Sequence, residues 1–155
     1  CYRVFYFFRL GHLDNFVVGK IMTIHLKKLA VGITSIEELI QRQKDIFTRY
    51  GEIIHITRNR PQKYLDLING GSIYWVIKRK VRVRQRILEV KELITNVEKK
   101  STGIILENKL VKVRPTPMKP FQGWRYYKIE EIPPDIKDDD FSDDFNYELS
   151  KLGLY

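Results

Sequence analysis

The segment Ser72-Ile-Tyr-Trp-Val-Ile-Lys-Arg-Lys-Val-Arg-Val-Arg-Gln-Arg-Ile87 contains two successive runs in which bulky apolar residues recur at every second position. This spacing is the period of a β-strand that has one apolar face. We therefore predict one strand over residues 72–78 and another over residues 80–90. The apolar positions are Ile73, Trp75 and Ile77 in the first strand and Val81, Val83 and Ile87 in the second.

A helix is the clearest element before these strands. Ser35 and Glu38 have the spacing of an N-terminal capping box, and apolar residues follow at helical spacing as far as Tyr50. Gly51 is suited to the left-handed conformation that ends many helices. Residues 22–29 alternate apolar and polar, and residues 53–57 form a short apolar run, so each predicts a strand.

A second helix and further strands complete the predicted fold. Arg60-Pro61 suits the first turn of a helix. Residues 104–107 and 110–113 are predicted to form a hairpin around Asn108-Lys109, followed by a proline-stiffened loop over residues 114–120. Because helices come early and strands dominate later, we predict an α+β fold with a mostly antiparallel sheet or small open barrel and two helices in the first half of the chain.

Charge is distributed unevenly along the chain. The 155 residues include 28 Lys and Arg against 19 Asp and Glu, a formal net charge of +9. Residues 22–127 carry 22 basic and 9 acidic residues, a net charge of +13, whereas residues 128–155 carry 3 basic and 9 acidic residues, a net charge of −6. The basic body favours an anionic partner such as RNA or another polyanion.

Composition and charge divide the chain into three predicted segments. We interpret residues 1–21, which precede Met22, as an upstream extension outside the native domain; a genuine extra strand or short helix is the alternative. Residues 22–132 are predicted to form one α+β domain of ordinary size. Residues 133–155 open with two prolines and continue with a dense acidic run. We interpret them as a solvated tail; the alternative is a mimic of an anionic ligand that folds back onto the basic surface.

The stretch from Lys78 to Arg86 is densely cationic. In an extended strand, alternate residues share a face at a spacing of about 6.5–7 Å, which is near the phosphate repeat of a nucleic acid. We therefore predict a nucleic-acid-binding strand face lined by the four alternate cations Lys80, Arg82, Arg84 and Arg86. The alternative is a solvent-facing strand partly paired with Glu38, Glu52 or Glu89. The predicted binding cations are Lys78, Lys80, Arg82, Arg84, Arg86, Arg114 and Arg125.

Aromatic residues lie near these cations in the sequence. Exposed aromatic rings beside a cationic groove stack on single-stranded bases. We predict this role for Trp124 and Tyr126, with core packing as the alternative. Trp75 alternates with Ile73 and Ile77, so we predict that it lies in the core.

The candidates for catalysis are His25, His55, Arg58 and Tyr74. If the two histidines face each other across paired strands, they could act as acid and base in metal-independent RNA cleavage; ordinary hydrogen-bonded histidines are the alternative. No HxxxH or HExxH spacing links them, so we predict no metal site. The sequence has no phosphate-binding loop, dinucleotide motif or nucleophile elbow, so we predict no cofactor.

Cysteine usage and hydropathy argue against a disulfide-stabilised protein and against a protein with a membrane-spanning helix. The single cysteine, Cys1, cannot form a disulfide within the chain. No window approaches the roughly 18–20 apolar residues of a membrane helix, since Arg3 and Arg9 interrupt the closest candidate. We therefore predict a cytoplasmic protein that does not contact a membrane.

Five strings of sequence occur in a characteristic order. They are Met22-Thr-Ile-His-Leu26, Thr57-Arg58 followed by Pro61, Gly70-Gly-Ser-Ile-Tyr-Trp-Val-Ile-Lys78, Val83-Arg-Gln-Arg-Ile-Leu88 and Pro120-Phe-Gln-Gly-Trp-Arg-Tyr126. Together they resemble the bacterial family called domain of unknown function 1489, over about residues 22–136. The resemblance implies that Met22 is the natural start, and it implies no catalytic residue because the family has no established activity. A looser similarity is to the pseudouridine-synthase-associated (PUA-like) folds, many of which bind RNA, but fold analogy does not establish function.

Three hypotheses for function follow. The first is a small RNA- or nucleic-acid-binding module whose binding weakens steeply with salt. The second is an enzyme that acts on a nucleotide or nucleic acid through the two histidines. The third is a protein-interaction module whose acidic tail contacts a basic partner. Burial of the arginines at 82, 84 and 86 in ion pairs would argue against the first. Convergence of the two histidines in a pocket that contains Arg58 or Tyr74 would favour the second.

Overall fold

The computed structural model describes residues 22–94 and 99–136. The predicted extension, residues 1–21, and most of the predicted tail, from residue 137 onwards, lie outside the described residues. Within the described ranges the elements are β1 (His25–Leu29), α1 (Ile36–Tyr50), β2 (Ile53–Thr57), α2 (Tyr64–Ile68), β3 (Ser72–Ile77), β4 (Lys80–Ile94), β5 (Lys100–Pro117) and β6 (Trp124–Tyr127).

The strands form one open sheet in the order β2-β5-β4-β3-β1-β6. β1 and β3 are parallel, with Leu26 opposite Ile73, and the other neighbouring pairs are antiparallel. The parallel pair arises because α1, β2 and α2 lie between these strands in the chain and return it to the same end of the sheet. This architecture confirms the predicted α+β class with a mostly antiparallel sheet and two helices.

The first helix forms where its sequence signals place it. Ser35 Oγ accepts a hydrogen bond from the Glu38 N–H at 3.2 Å and so caps the helix. The Glu38 carboxylate reaches one residue further back than in a strict capping box, since it accepts from the N–H of Thr34 at 2.9 Å and from its hydroxyl at 2.8 Å. Gly51 ends the helix at φ 72° and donates its N–H to the Phe47 carbonyl.

Two clusters of buried side chains lie on opposite faces of the sheet. The larger cluster lies under α1 on what we call the helix face, and it includes Leu39, Trp75 and Val83. The smaller cluster lies on the other face, which we call the open face. Its buried members are Tyr74, Val76, Val81, Val113 and Tyr127, against which Leu29, Met118, Phe121 and Ile132 pack. β3 supplies both clusters because its alternate residues are buried on both sides.

Two expectations about element boundaries were wrong. α2 begins at Tyr64 and not at Arg60-Pro61. β5 runs unbroken through Asn108-Lys109, so the expected hairpin does not form, and the first part of the expected proline loop belongs to this strand. The two prolines of β5 are tolerated because, beyond its pairing with β2, the outer side of β5 is joined only by the single bridge from Val113 to Asp135 among the described residues.

A β-bulge at Arg82 changes which residues of β4 share a face. The partners of Val81 and Val83 in β3 are consecutive residues, so Arg82 is an extra residue between them. Val81 therefore packs in the open-face cluster, whereas Val83 and Ile87 pack in the helix-face cluster. The prediction that all three share one side is wrong for Val81, because the bulge reverses the alternation there.

Candidate functional site

The bulge splits the cations that were expected to line one face of β4. Judged by their partners in β3, Lys80 lies on the helix face, and Arg84 and Arg86 lie on the open face. Arg82 occupies the bulge, and its buried Nε has no hydrogen-bond partner within the described ranges. The expected stripe of four cations at even spacing is therefore wrong, because the bulge interrupts the two-residue period.

The remaining predicted cations lie on loops and outer strands. Lys78 and Arg79 form the two-residue turn between β3 and β4, and both have positive φ, at 49° and 62°. Arg114 is exposed on β5 and donates its backbone N–H to the Pro134 carbonyl at 3.0 Å. Arg125 is exposed on the edge strand β6.

Trp124 and Tyr126 are held against the helix-face cluster. Trp124 Nε1 donates to the Asn59 carbonyl at 2.9 Å, and Tyr126 Oη accepts from the Lys63 backbone N–H at 3.1 Å. The two rings meet edge to face at 5.0 Å, and both are half-buried. These contacts are typical of packing, the alternative that the sequence left open. Stacking of these rings on a base stays a prediction.

His25 and His55 lie on opposite faces of the sheet. The His55 ring meets Trp75 edge to face at 5.8 Å on the helix face, where it lines a cavity of about 180 Å³. The His25 ring meets Tyr74 edge to face at 5.4 Å on the open face, and both residues line a different cavity of about 380 Å³. Arg58 is exposed and lines neither cavity. The structure therefore brings His25 and Tyr74 together and leaves His55 and Arg58 apart from them.

Arg84 and Asp135 form a two-pronged ion pair on the open face. Arg84 Nε and Nη2 donate to the two carboxylate oxygens of Asp135 at 2.6 Å each, and Nη1 donates to Ser72 Oγ at 3.2 Å. The hydrogen bond to Asp135 raises the pKa of Arg84. Both residues line the larger cavity, so this ion pair forms one of its walls.

His25 and Tyr74 contribute uncharged groups to the same cavity. The Ser72 N–H donates to His25 Nδ1 at 3.0 Å, so the neutral ring carries its proton on Nε2. Burial, together with the positive charge of Arg84, lowers the pKa of His25 and favours this neutral form. Burial raises the pKa of Tyr74 to about 12, so its hydroxyl stays protonated.

A pair of cations lies at the other end of the open face. Lys27 of β1 is directly opposite Arg125 of β6. Lys27 Nζ lies 5.8 Å and Arg125 Cζ lies 5.9 Å from the centre of the Phe121 ring. No ion pair in the described part of the chain includes either cation. We call Lys27, Phe121 and Arg125 the cationic–aromatic patch.

Ring contacts connect this patch to the cavity beside Arg84. Lys27 Nζ lies 5.1 Å from the centre of the Tyr127 ring, and the Tyr127 ring meets Tyr74 edge to face at 5.2 Å. The patch and the cavity therefore lie on the same face of the sheet and are linked through the buried rings of Tyr127 and Tyr74.

Sequence reasoning missed Lys27, Ser72 and Asp135 as members of this surface. Strand alternation does place Lys27 on the same side as His25, and that signal was available. Its position opposite Arg125 depends on the strand order, which alternation does not reveal. Asp135 belongs to the acidic end whose folding back onto basic residues was the alternative interpretation.

These features define a small α+β protein whose open sheet face carries a cavity walled by an ion pair and two cations that have no carboxylate partner in the described ranges. The chain belongs to the family described as proteins of unknown function, DUF1489, whose family model matches residues 26–155. The match confirms the resemblance and continues past residue 136 through the acidic end. No curated protein and no solved structure matches the chain. Neither helix in the described ranges is long and apolar enough to cross a membrane.

Proposed function

We propose that the protein binds single-stranded RNA through the cationic–aromatic patch. The observation that carries this proposal is the cross-strand pair of Lys27 and Arg125 beside the Phe121 ring. Like charges directly opposite each other in antiparallel strands destabilise the pairing. A bound phosphate would offset this repulsion, and an unpaired base could stack on Phe121.

Further cations lie next to the patch and support a polymeric ligand. The Arg79 carbonyl accepts the Met118 N–H at 2.8 Å, and Lys27 Nζ lies 3.8 Å from Met118 Sδ. The Lys78–Arg79 turn is therefore a neighbour of the patch, and the exposed Lys119 follows Met118 in the chain. Several cations along one surface favour a chain of phosphates over a single anion.

Binding to a labelled oligouridine of about 12 nucleotides, followed by fluorescence anisotropy over a range of salt concentrations, tests the proposal. Lys27→Ala/Arg125→Ala is expected to weaken binding about tenfold or more at low salt. It should also reduce the slope of log K against log salt by about 1.4, because each phosphate contact with a single strand contributes about 0.7. Phe121→Leu, which keeps apolar bulk and removes the ring, is expected to weaken binding about five- to hundredfold, the equivalent of one stacked base.

The matched control is Lys44→Gln/Arg49→Gln, which removes two exposed cations of α1 on the other side of the sheet. This variant is expected to bind oligouridine at most about twofold more weakly than wild type, since the two charges that it removes act on the ligand only through the long-range field. Equal losses in the two double variants, or wild-type binding by Phe121→Leu, would contradict a localised stacking surface.

The two alternative functions receive less support. The enzyme hypothesis needs His25 and His55 in one site, but they line different cavities on opposite faces. The protein-interaction hypothesis depends on the acidic end, and its residues after 136 lie outside the described part of the chain.

A further inference from the structure

Arg84 presents its guanidinium to the open face as a two-pronged anion site. Its Nε and Nη2 hold the two oxygens of Asp135, while Ser72 Oγ accepts from Nη1 and fixes the plane of the group. The same fork geometry binds the carboxylates and phosphates of ligands. Asp135 arrives from outside the sheet, on a segment that two backbone hydrogen bonds attach to β5, and its side chain is 44% exposed. Its carboxylate therefore sits where a ligand from solvent could replace it.

Two further donors line the same cavity and have no acceptor. His25 carries its proton on Nε2, because its Nδ1 accepts from the Ser72 N–H. Tyr74 as a whole residue is only 1% exposed, and it lines the cavity together with His25. Neither the His25 Nε2 nor the Tyr74 hydroxyl makes a hydrogen bond to another residue in the described ranges. Both groups are thus free to donate to a molecule in the cavity.

The shape of the donor set distinguishes between anions. A carboxylate is planar and has two oxygens, and Asp135 directs both at Arg84 without reaching His25 or Tyr74. A tetrahedral phosphate has further oxygens outside the guanidinium plane, and the two unused donors come from β1 and β3 at the side of Arg84. The cavity of about 380 Å³ has room for a phosphate together with part of the group that carries it.

We propose that the cavity lined by His25, Tyr74 and Arg84 binds a phosphomonoester, and that the Asp135 carboxylate competes with that ligand for Arg84. This site goes beyond the proposed RNA surface, because it lies in a different part of the open face and recognises a single anionic group. A free nucleotide and the terminal phosphate of an RNA chain are two sources of the same chemistry. The cavity and the patch share the open face of the sheet, so a chain bound at the patch is one candidate source of the phosphate.

Asp135→Asn tests the site directly, because it removes the competing charge and keeps the side-chain shape. Isothermal titration calorimetry with inorganic phosphate and with uridine 5′-monophosphate is expected to show about tenfold tighter binding to Asp135→Asn than to wild type. Arg84→Lys in the same background keeps a positive charge but loses the fork, so it is expected to cancel the gain.

Glu52→Gln is the matched control. It removes a carboxylate from the Lys91–Glu52 pair, whose contact distance of 2.8 Å and side-chain exposures of 35% and 44% resemble those of the Arg84–Asp135 pair. This variant is expected to bind phosphate as wild type does. An equal gain in Glu52→Gln, or no gain in Asp135→Asn, overturns the proposal.

A second measurement covers the case in which Asp135→Asn does not fold. Tyr74→Phe in the otherwise native chain removes one donor and no charge. Thermal unfolding at high phosphate concentration should then show a phosphate-dependent rise in Tm at least about threefold smaller than in wild type. An unchanged rise overturns the proposal.

The source of the phosphate is tested with two oligouridines that differ only at the 5′ end. A preference of Asp135→Asn for the 5′-phosphorylated chain over the 5′-hydroxyl chain supports the site and assigns it to an RNA end. Equal affinity for the two chains, with retained binding of uridine monophosphate, supports the site and assigns it to a free nucleotide. If inorganic phosphate binds and neither oligouridine does, the RNA proposal fails while this one stands.

Discussion

Burial decides the chemistry of His55. Its ring lines the helix-face cavity together with Trp75, which it meets edge to face, and its Nε2 is buried without a partner in the described ranges. Desolvation, and to a smaller extent the positive charge of Lys28, lower the pKa of His55 from 6.5 to about 4. The native state therefore favours the neutral ring, and protonation opposes folding.

We predict that His55 makes the free energy of unfolding fall as the pH is lowered from about 7 to 4. Between the two pKa values the unfolded chain has taken up a proton at His55 and the native state has not. The part of the free energy of unfolding that depends on a neutral His55 is fully present above pH 6.5 and is lost progressively as the pH falls to about 4. The loss over this range amounts to about 2–3 kcal/mol. Urea unfolding at a series of pH values measures it.

His55→Phe isolates this contribution from the carboxylates. Titration of Asp and Glu is common to both proteins, so the difference between the two pH profiles belongs to His55. The variant profile should be flatter between pH 6.5 and about 4. Parallel profiles would show that His55 titrates normally in the folded protein.

At the scale of secondary structure, the turn between β3 and β4 carries backbone strain. Lys78 and Arg79 both have positive φ, the arrangement of a type I′ turn, in which Asn and Gly are the favoured residues. A side chain at each position costs about 1 kcal/mol. The turn therefore holds two cations, at some cost in stability, next to the Met118 contact of the patch.

Lys78→Asn/Arg79→Gly is expected to raise the free energy of unfolding by about 1–2 kcal/mol, because both residues then suit the turn. It should also weaken oligouridine binding severalfold, because the variant removes two of the cations to which the RNA proposal assigns phosphate contacts. Urea unfolding and anisotropy measure the two effects on the same preparation. Lys44→Gln, an exposed cation of α1, serves as the control and should change neither. Greater stability with unchanged binding would remove the turn from the RNA surface.

Elements could be predicted where the deciding contacts are close in sequence. α1 is an example, since its start depends on Ser35 and its next turn and its end depends on Gly51. The bulge in β4 could not be predicted, because Arg82 is an extra residue only relative to the strand beside it. The pairing of Arg84 with Asp135 joins residues 51 positions apart, and the spacing of residues within β4 carries no information about it. The candidate cations were therefore identified individually, while their grouping depended on strand order.

At the scale of the molecule, the described residues 22–94 and 99–136 contain many more cations than ion pairs. Pairs such as Arg84–Asp135 and Lys91–Glu52 engage a minority of the 22 basic residues in the body. Unpaired cations repel one another and destabilise the compact state, and salt screens this repulsion over a Debye length of about 10 Å at 0.1 M. The surplus of positive charge on which the RNA proposal depends is therefore expected to lower the stability of the free protein.

We predict that the Tm of the full chain rises by about 2–4 °C as sodium chloride is increased from about 0.02 to 0.3 M, which corresponds to about 1 kcal/mol. If attraction within ion pairs were the larger effect, added salt would lower the Tm, because salt screens that attraction as well. Lys109→Glu/Lys119→Glu replaces two exposed cations with carboxylates, so it should begin with a higher Tm at low salt and gain less from added salt.

Oligouridine should raise the wild-type Tm at low salt by mass action and lose this effect at high salt, because its binding depends on counterion release. Differential scanning calorimetry distinguishes the two contributions, and a Tm that falls with salt would mean that the cations of the body are compensated after all.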